Sequence, residues 1–232
     1  MLLIAAAMAQ DFEIAADRPG YADGTTTVPF KHVQIEMGLN IAIPSLAIDA
    51  PGILLRGGIT DQVELRLGPP SIAAGYSSVA GPVFVASGGW YLGSKIAFEA
   101  GEATFSLVPA VSAPVLTNLQ FAGTMDVALG FNWAYDLDDT FGLSGNVLGT
   151  LSPIGKMEGD VSGSVAIGAS VDRFGFFGEG IVGVGNDGAG VGAGAGLTVL
   201  TTSREQYDLS VTSMLVGPDR GLVIGAGYAR LW

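Results

Sequence analysis

The chain has one histidine, His32, and no cysteine. Thiolate catalysis, disulfides and cysteine-bound metals are therefore excluded. A hydrolytic site would need His32 as its base, and a serine and an acid could reach it from distant positions. The carboxylates Asp136, Asp138 and Asp139 are hard oxygen ligands of the kind calcium takes, but the same cluster reads as a solvated turn. The run "GVGNDGAGVGAGAG" contains several G-x-G patterns. A phosphate cradle requires a helix after such a run. The next residues, "LTVLTTSREQYDL", read as strand, so the run predicts a hairpin turning at Asn186-Asp187-Gly188. No metal and no cofactor is expected. The remaining chemistry lies in isolated charges within apolar segments: Glu36, Arg56, Glu64, Arg66, Lys95 and Glu179, with Asp126 and Asp208.

Those charges are placed by alternation. In "KHVQIEMGLNIAIP", Val33, Ile35, Met37, Leu39, Ile41 and Ile43 are all apolar, and the residues between them are polar or small. This is strand periodicity, sustained for about twice the usual strand length of 5–6 residues. The pattern recurs down the chain. Leu55, Gly57 and Ile59 share a face with Val63, Leu65 and Leu67 across a turn at 60–62, with Arg56, Glu64 and Arg66 on the other face. Val127, Leu129, Phe131, Trp133 and Tyr135 alternate with Asp126, Ala128, Gly130, Asn132 and Ala134. The last segment, "GLVIGAGYARLW", runs to Trp232. About twelve strands are predicted. Short connections fall near 60, 100, 138 and 172, and longer loops at 44–48, 69–88, 112–123 and 152–159.

Composition separates the solvents that the two faces meet. Only 14% of residues are charged, mean hydropathy is +0.48 and 36 residues are glycine. Ordinary soluble domains carry about 25% charge. The net charge of −12 argues against nucleic acid as a partner. The uncharged windows 67–94 and 103–125 are broken by proline and glycine, so neither reads as a membrane helix. Strands of this length match a tilted bilayer span of about 9–11 residues. Phe98, Trp133, Tyr135, Phe141, Phe174, Phe176, Tyr228 and Trp232 gather toward one set of strand ends, as at a membrane interface. The apolar face is thus expected to meet lipid, and the small or polar face to line a lumen.

The start, "MLLIAAAMAQDF", ends an apolar run with Ala7-Met8-Ala9, a small-x-small cleavage pattern. Residues 1–9 read as a signal-peptide remnant lacking its basic region; an ordinary apolar N-terminus is the alternative. Residues 10–29 form a polar, turn-rich segment, and 30–232 the barrel. Pairing about a 44–48 loop sets Glu36 opposite Arg56, and the turn at 60–62 sets Arg56 opposite Arg66. Facing arginines repel; Glu36 and Glu64 beside them predict one neutralising network. It would either fill the lumen or form a filter for solutes.

"ADRPGYADGTTTVPFKHVQIEMGL" resembles the opening of the outer-membrane barrels known as transporters or as proteins of the MetA pathway of phenol degradation, through Asp17, Arg18, Pro19, Val28, Pro29, Gln34, Glu36 and Gly38. "LLRGGITDQVELRLG" resembles their next hairpin through Leu55, Arg56, Gly58, Thr60, Asp61, Glu64 and Arg66. Lys95, Glu179 and the aromatic close also fit. Gly20 stands where an acid is common, Lys31 where glycine is common, and Gly57 replaces an aromatic. The resemblance covers nearly the whole mature chain and is strongest over 16–67. It implies a twelve-stranded barrel in a bacterial outer membrane and transport of small, hydrophobic or aromatic molecules. Outer-membrane lipid hydrolases comparable to such a barrel carry a serine two residues after the histidine; here Gln34 stands there, which argues against an enzyme.

The expected fold is all-β, a closed antiparallel transmembrane barrel of about twelve strands with short periplasmic turns and longer external loops. The expected function is a passive channel, with Asp17-Arg18-Pro19 as candidate plug. The alternative is a structural barrel whose lumen the charges close. The expected partners are membrane lipids, the outer-membrane assembly machinery and small hydrophobic solutes. Tyr228 and Trp232, on the lipid face at the C-terminus, resemble the signal that the assembly machinery reads, with Arg230 snorkelling at the interface.

Overall fold

The computed structural model describes residues 14–43, 45–77, 81–117, 120–122, 125–153, 157–217 and 220–232. The remnant expected over 1–9 and the first residues of the 10–29 segment lie outside them. Every regular element among the described residues is a strand: β1 (Val33–Ile43), β2 (Ala47–Gly58), β3 (Val63–Gly68), β4 (Ser71–Ser77), β5 (Gly81–Ser87), β6 (Trp90–Ala100), β7 (Ala103–Ala113), β8 (Val115–Thr117), β9 (Gln120–Ala122), β10 (Asp126–Asp136), β11 (Phe141–Ser152), β12 (Glu158–Val171), β13 (Phe174–Gly185), β14 (Gly188–Thr202), β15 (Glu205–Val216) and β16 (Gly221–Leu231).

Neighbouring strands pair antiparallel in the order β1-β16-β15-β14-β13-β12-β11-β10-β7-β6-β3-β2, and β1 pairs β2 to close the ring. Twelve strands therefore form the barrel. Closure removes the free strand edges that lipid could not satisfy. The C-terminus takes part: Trp232 N donates to Val33 O at 2.8 Å, and Val33 N returns a bond to Trp232 O at 3.2 Å. The predicted hairpin in the glycine run is present, with Gly185 opposite Gly188.

Two sequence expectations about the loops are corrected. Residues 69–88 are not one irregular loop, since β4 and β5 form a hairpin in which Ile72–Ala74 pairs with Ile48–Ala50 of β2. Residues 112–123 likewise hold the small β8–β9 hairpin. The alternation of loop length is also weaker than expected. The connections 44–46, 186–187 and 217–220 are as short as the turns at the opposite end, so length is concentrated in the two hairpin-bearing connections.

Because β2 pairs β3 over Leu55–Gly58 and β4 over Ile48–Ala50, residues 51–54 carry no ladder on that side among the described pairings. This stretch is a seam in the hydrogen bonding of the wall, with Gly68 still lying against it: a Cβ there would be 3.3 Å from Ile53 O. Elsewhere the outer surface is a continuous apolar belt that includes Leu129, Val147, Val165, Ile167, Val182 and Leu209, each exposed. Aromatics gather at the end that carries Trp232. Phe98, Phe105 and Phe131 stack in a row with centroids 5.5 and 5.8 Å apart, and Tyr207 lies 5.0 Å from Tyr228. Arg230 stays on the outer face, bonded to Glu205 at 3.0 Å and lying over Trp232 at 5.2 Å.

Candidate functional site

The site lies inside the barrel, where residues 14–29 run as an irregular segment against the inward faces of the strands. A strand neighbour shields each end of it. Ile14, Ala16 and Val28 bury against Ala229 and Leu231 of β16, with Leu200 of β14 packed beside them. Thr25 shares a 2.7 Å hydrogen bond with Thr104 of β7, and Thr27 Oγ1 donates to Asp61 O at 2.6 Å. The exit into β1 is tight. Lys31 has φ 64°, a left-handed conformation that favours glycine, and Lys31 N donates to Gly58 O at 3.1 Å.

Asp17 is the hub. Its carboxylate accepts from Lys95 Nζ at 2.6 Å, from Arg66 Nη2 at 2.8 Å and from the Gly24 amide at 2.9 Å, with Arg56 Nη1 3.3 Å away. Its own amide donates to Glu36. Arg56 grips Glu64 through Nε and Nη2 at 2.8 and 2.9 Å and reaches Glu36 at 2.7 Å. Its guanidinium also donates to the carbonyls of Ala15 and Thr26, and Glu64 takes the Val28 amide at 2.7 Å. Arg66 extends the cluster to Asp23 at 2.6 Å. Arg56, Glu64 and Lys95 are fully enclosed, so each charge meets its partner in a medium that screens poorly. Burial by itself raises the Asp17 carboxyl. Arg56, Lys95 and Arg66 outweigh that and hold it well below the usual carboxylate range.

The structure thus brings Glu36, Arg56, Glu64, Arg66 and Lys95 together, around a residue of the N-terminal segment. The register differs from the expected one. Arg56 is opposite Arg66, but Glu36 is opposite Leu54, and Gln34 faces Arg56. The strands β1 and β2 run on to Ile43 and Ala47, which tightens their turn, and the register shifts between Gly38 and Asn40. Glu36 still reaches Arg56 diagonally.

Glu179 is inward-facing yet separate. From β13 across the lumen it accepts the Tyr21 amide at 3.0 and 3.2 Å. Arg18 turns toward the same wall. It lies 3.6 Å from Asp208 of β15, Arg18 Nη2 donates to Ala226 O at 3.3 Å, and Arg18 O accepts from Gln206 at 2.8 Å. Gly38 makes this possible, because a Cβ there would run into the Arg18 guanidinium. Asp126, the other acid expected in the lumen, is held by Ser112 and Ser152 near the opposite mouth.

Sequence reasoning separated the plug candidate from the charge network and missed their union, along with Asp23, Gln34 and Gln206. The excess of cations over acids around Arg56, Arg66 and Lys95 was the available signal that another carboxylate had to arrive.

Above the segment, away from Trp232, lies a cavity of about 550 Å³. Its walls include the apolar or small Leu54, Tyr91, Val108, Ala110, Ala128 and Leu148 and the neutral polar Ser71, Asn132 and Asn146; its floor carries the charges of Asp17, Arg18, Asp23, Glu36 and Arg66. The seam residues Gly52 and Ile53 border it, together with Gly68, Pro69, Gly88 and Gly89.

The other chemical candidates take structural places. His32 Nδ1 lies 3.1 Å from Phe30 O. Asp138 accepts the amides of Thr140 and Phe141, as a turn-forming aspartate does. Among the described residues no group of three or more potential ligands is arranged to hold a metal ion.

A closed barrel with an apolar belt outside and buried charges within is a transmembrane β-barrel of the bacterial outer membrane. In fold the chain is similar to an outer membrane channel from Pseudomonas putida F1, with a TM-score of 0.65 at 11% identity over 93% of this chain and 99% of that one. It is similar to the NanC porin, with a TM-score of 0.60 at 8% identity over 84% and 98%. The KdgM porin in complex with disordered oligogalacturonate gives 0.58 at 6% identity over 85% and 98%. No family model and no curated protein matches the sequence.

Proposed function

We propose that the protein is a passive outer-membrane channel for small molecules, and that residues 14–29 are its plug. The observation that carries this reading is the Asp17 hub: one residue of the segment ties it to β1, β2, β3 and β6 at once. A barrel that needed only a filled lumen could fill it with wall side chains. Here the filling is a separate stretch of chain, anchored by polar contacts that can be exchanged. The folds it is similar to include channels and porins, which supports passage rather than catalysis. The apolar cavity walls, and the resemblance to the barrels of phenol degradation, favour hydrophobic or aromatic cargo. Tyr228 and Trp232 serve assembly in this reading, not transport.

The test is single-channel conductance of the refolded protein in a planar bilayer, with and without residues 10–28. Discrete steps that grow on truncation are expected. Silence from both forms, with folding shown by a heat-dependent gel shift, would remove the axial pore. The seam beside β2 then favours a second reading, passage of hydrophobic molecules sideways through the wall; without that passage the protein is a structural barrel with a closed lumen.

A further inference from the structure

We propose that the cavity above the plug binds a carboxylate with a compact apolar body, and that its carboxylate takes the place of Asp23 on Arg66. That such a ligand is also the cargo rests on the channel reading; that it binds does not.

The cavity has the size and make-up of a small-molecule site, about 300–1,000 Å³ of mostly apolar wall with few convergent polar groups. Leu54, Val108, Ala110 and Leu148 offer an apolar body nothing to hydrogen-bond, and Tyr91 lies over Gly93, keeping the wall smooth. The charged groups all belong to the floor, and the other polar side chains of the lining, Asn132, Asn146 and Ser71, are neutral, so the ligand has one charged end. The charges there decide its sign. Arg66 is 3% exposed and pairs with Asp17 and Asp23. The two acids are not equivalent. Asp17 is enclosed, with a side-chain exposure of 4%, and holds two further cations; the Asp23 side chain is 36% exposed and bonds only Arg66 among the described contacts.

An incoming carboxylate therefore replaces like with like. It takes the Nη1 donor that Asp23 vacates, and Asp23 moves into water that it already partly meets. An amine would do the reverse. It would draw Asp23 away and leave a buried guanidinium short of an anion, which is costly. Losing Asp23 also removes one anchor from the middle of the segment, while Asp17, the Tyr21 amide and Thr25 still hold it, so ligand binding loosens the plug through one residue.

Isothermal titration of the folded, full-length barrel in detergent micelles tests this with hexanoate, hexylamine and hexanol, each corrected for protein-free micelles. Hexanoate should bind saturably, and hexanol should show only partition into the micelle. Asp23→Asn should tighten hexanoate roughly tenfold, the effect of removing one competing charge-assisted hydrogen bond. Ala128→Phe, which fills the cavity from β10, should abolish binding in a barrel that still shows its gel shift. Equal behaviour of hexanoate and hexanol, saturable binding of hexylamine instead, or weaker hexanoate binding in Asp23→Asn would each overturn the proposal. If Ala128→Phe does not fold, the Asp23→Asn comparison decides alone. Saturable hexanoate binding by a barrel that is silent in bilayers would sink the axial channel and leave the binding site standing; steps without binding would do the opposite.

Discussion

Asp17 faces three cations in a space without water-like screening, and that sets its behaviour with pH. Its folded carboxyl titrates far below the ordinary aspartate value of about 4. A depressed folded value means that its stabilisation is complete above the unfolded value and fades only as pH falls through the folded one. Acidification from pH 7 to pH 5 should therefore leave the Asp17 anchor intact, whereas Asp17→Asn should mimic its loss at every pH. The variant strands Arg56, Arg66 and Lys95 with one acid fewer, a defect of about 3–5 kcal/mol for a buried pair broken from one side. Conductance of both forms at the two pH values checks it; a wild type that already opens at pH 5 would show that another group holds the plug. Lys31 offers a second residue-scale test. It stands where the resembling barrels carry glycine, and its left-handed φ of 64° strains a side chain that has Cβ. Lys31→Gly should raise the temperature of the gel-shift transition, recovering about 1 kcal/mol. A lower transition would mean that the Lys31 contact with the Phe30 ring, 4.9 Å to its centroid, matters more than the strain.

The elements that matter most are the two that close the ring. β1 and β16 meet along a register from Gln34–Leu231 to Ile43–Leu222, and the backbone of Trp232 extends it by a reciprocal pair with Val33. Removing Trp232 deletes those two hydrogen bonds, the outer partner of Arg230 and one interfacial aromatic. Slower appearance of the heat-modifiable band during refolding into liposomes is expected; an unchanged rate would count against a role in assembly. The β4–β5 hairpin shows what local pattern cannot supply. "SIAAGYS" and "GPVFVAS" carry proline and glycine punctuation and no clean alternation, and they become strands because β2 offers them an unpaired edge.

At the scale of the molecule, the barrel inverts the soluble rule: charges inside, apolar side chains outside. Val165 and Ser164 are neighbours on β12, yet Val165 is exposed to lipid and Ser164 is buried in the lumen, bonded to Asn146 at 2.9 Å. Val165→Arg should therefore cost about 2–4 kcal/mol, the depth-dependent penalty for a cation on the lipid face near the midplane. Equilibrium unfolding in lipid vesicles measures it. A cost near zero would place Val165 near an interface or against another protein.

The alternation of Val33 to Ile43 and of Val127 to Tyr135 was enough to specify strands, faces and a lipid-exposed exterior, because side-chain direction in a strand depends only on parity. The isolated charges could be assigned to the lumen for the same reason. Parity does not report who stands opposite whom. The slip that puts Glu36 opposite Leu54 rather than Arg56 keeps every side chain on its face. It comes from turn length and a bulge, which depend on closure of the whole ring. The segment around Asp17 has no periodicity at all. Its place at the centre of Arg56, Arg66 and Lys95 comes from electrostatics that exist only once β2, β3 and β6 have set three buried cations side by side. Strand identity is local physics and can be read along the chain; the plug is a contact between distant positions, and only the closed barrel creates the low-dielectric space that gives it its strength.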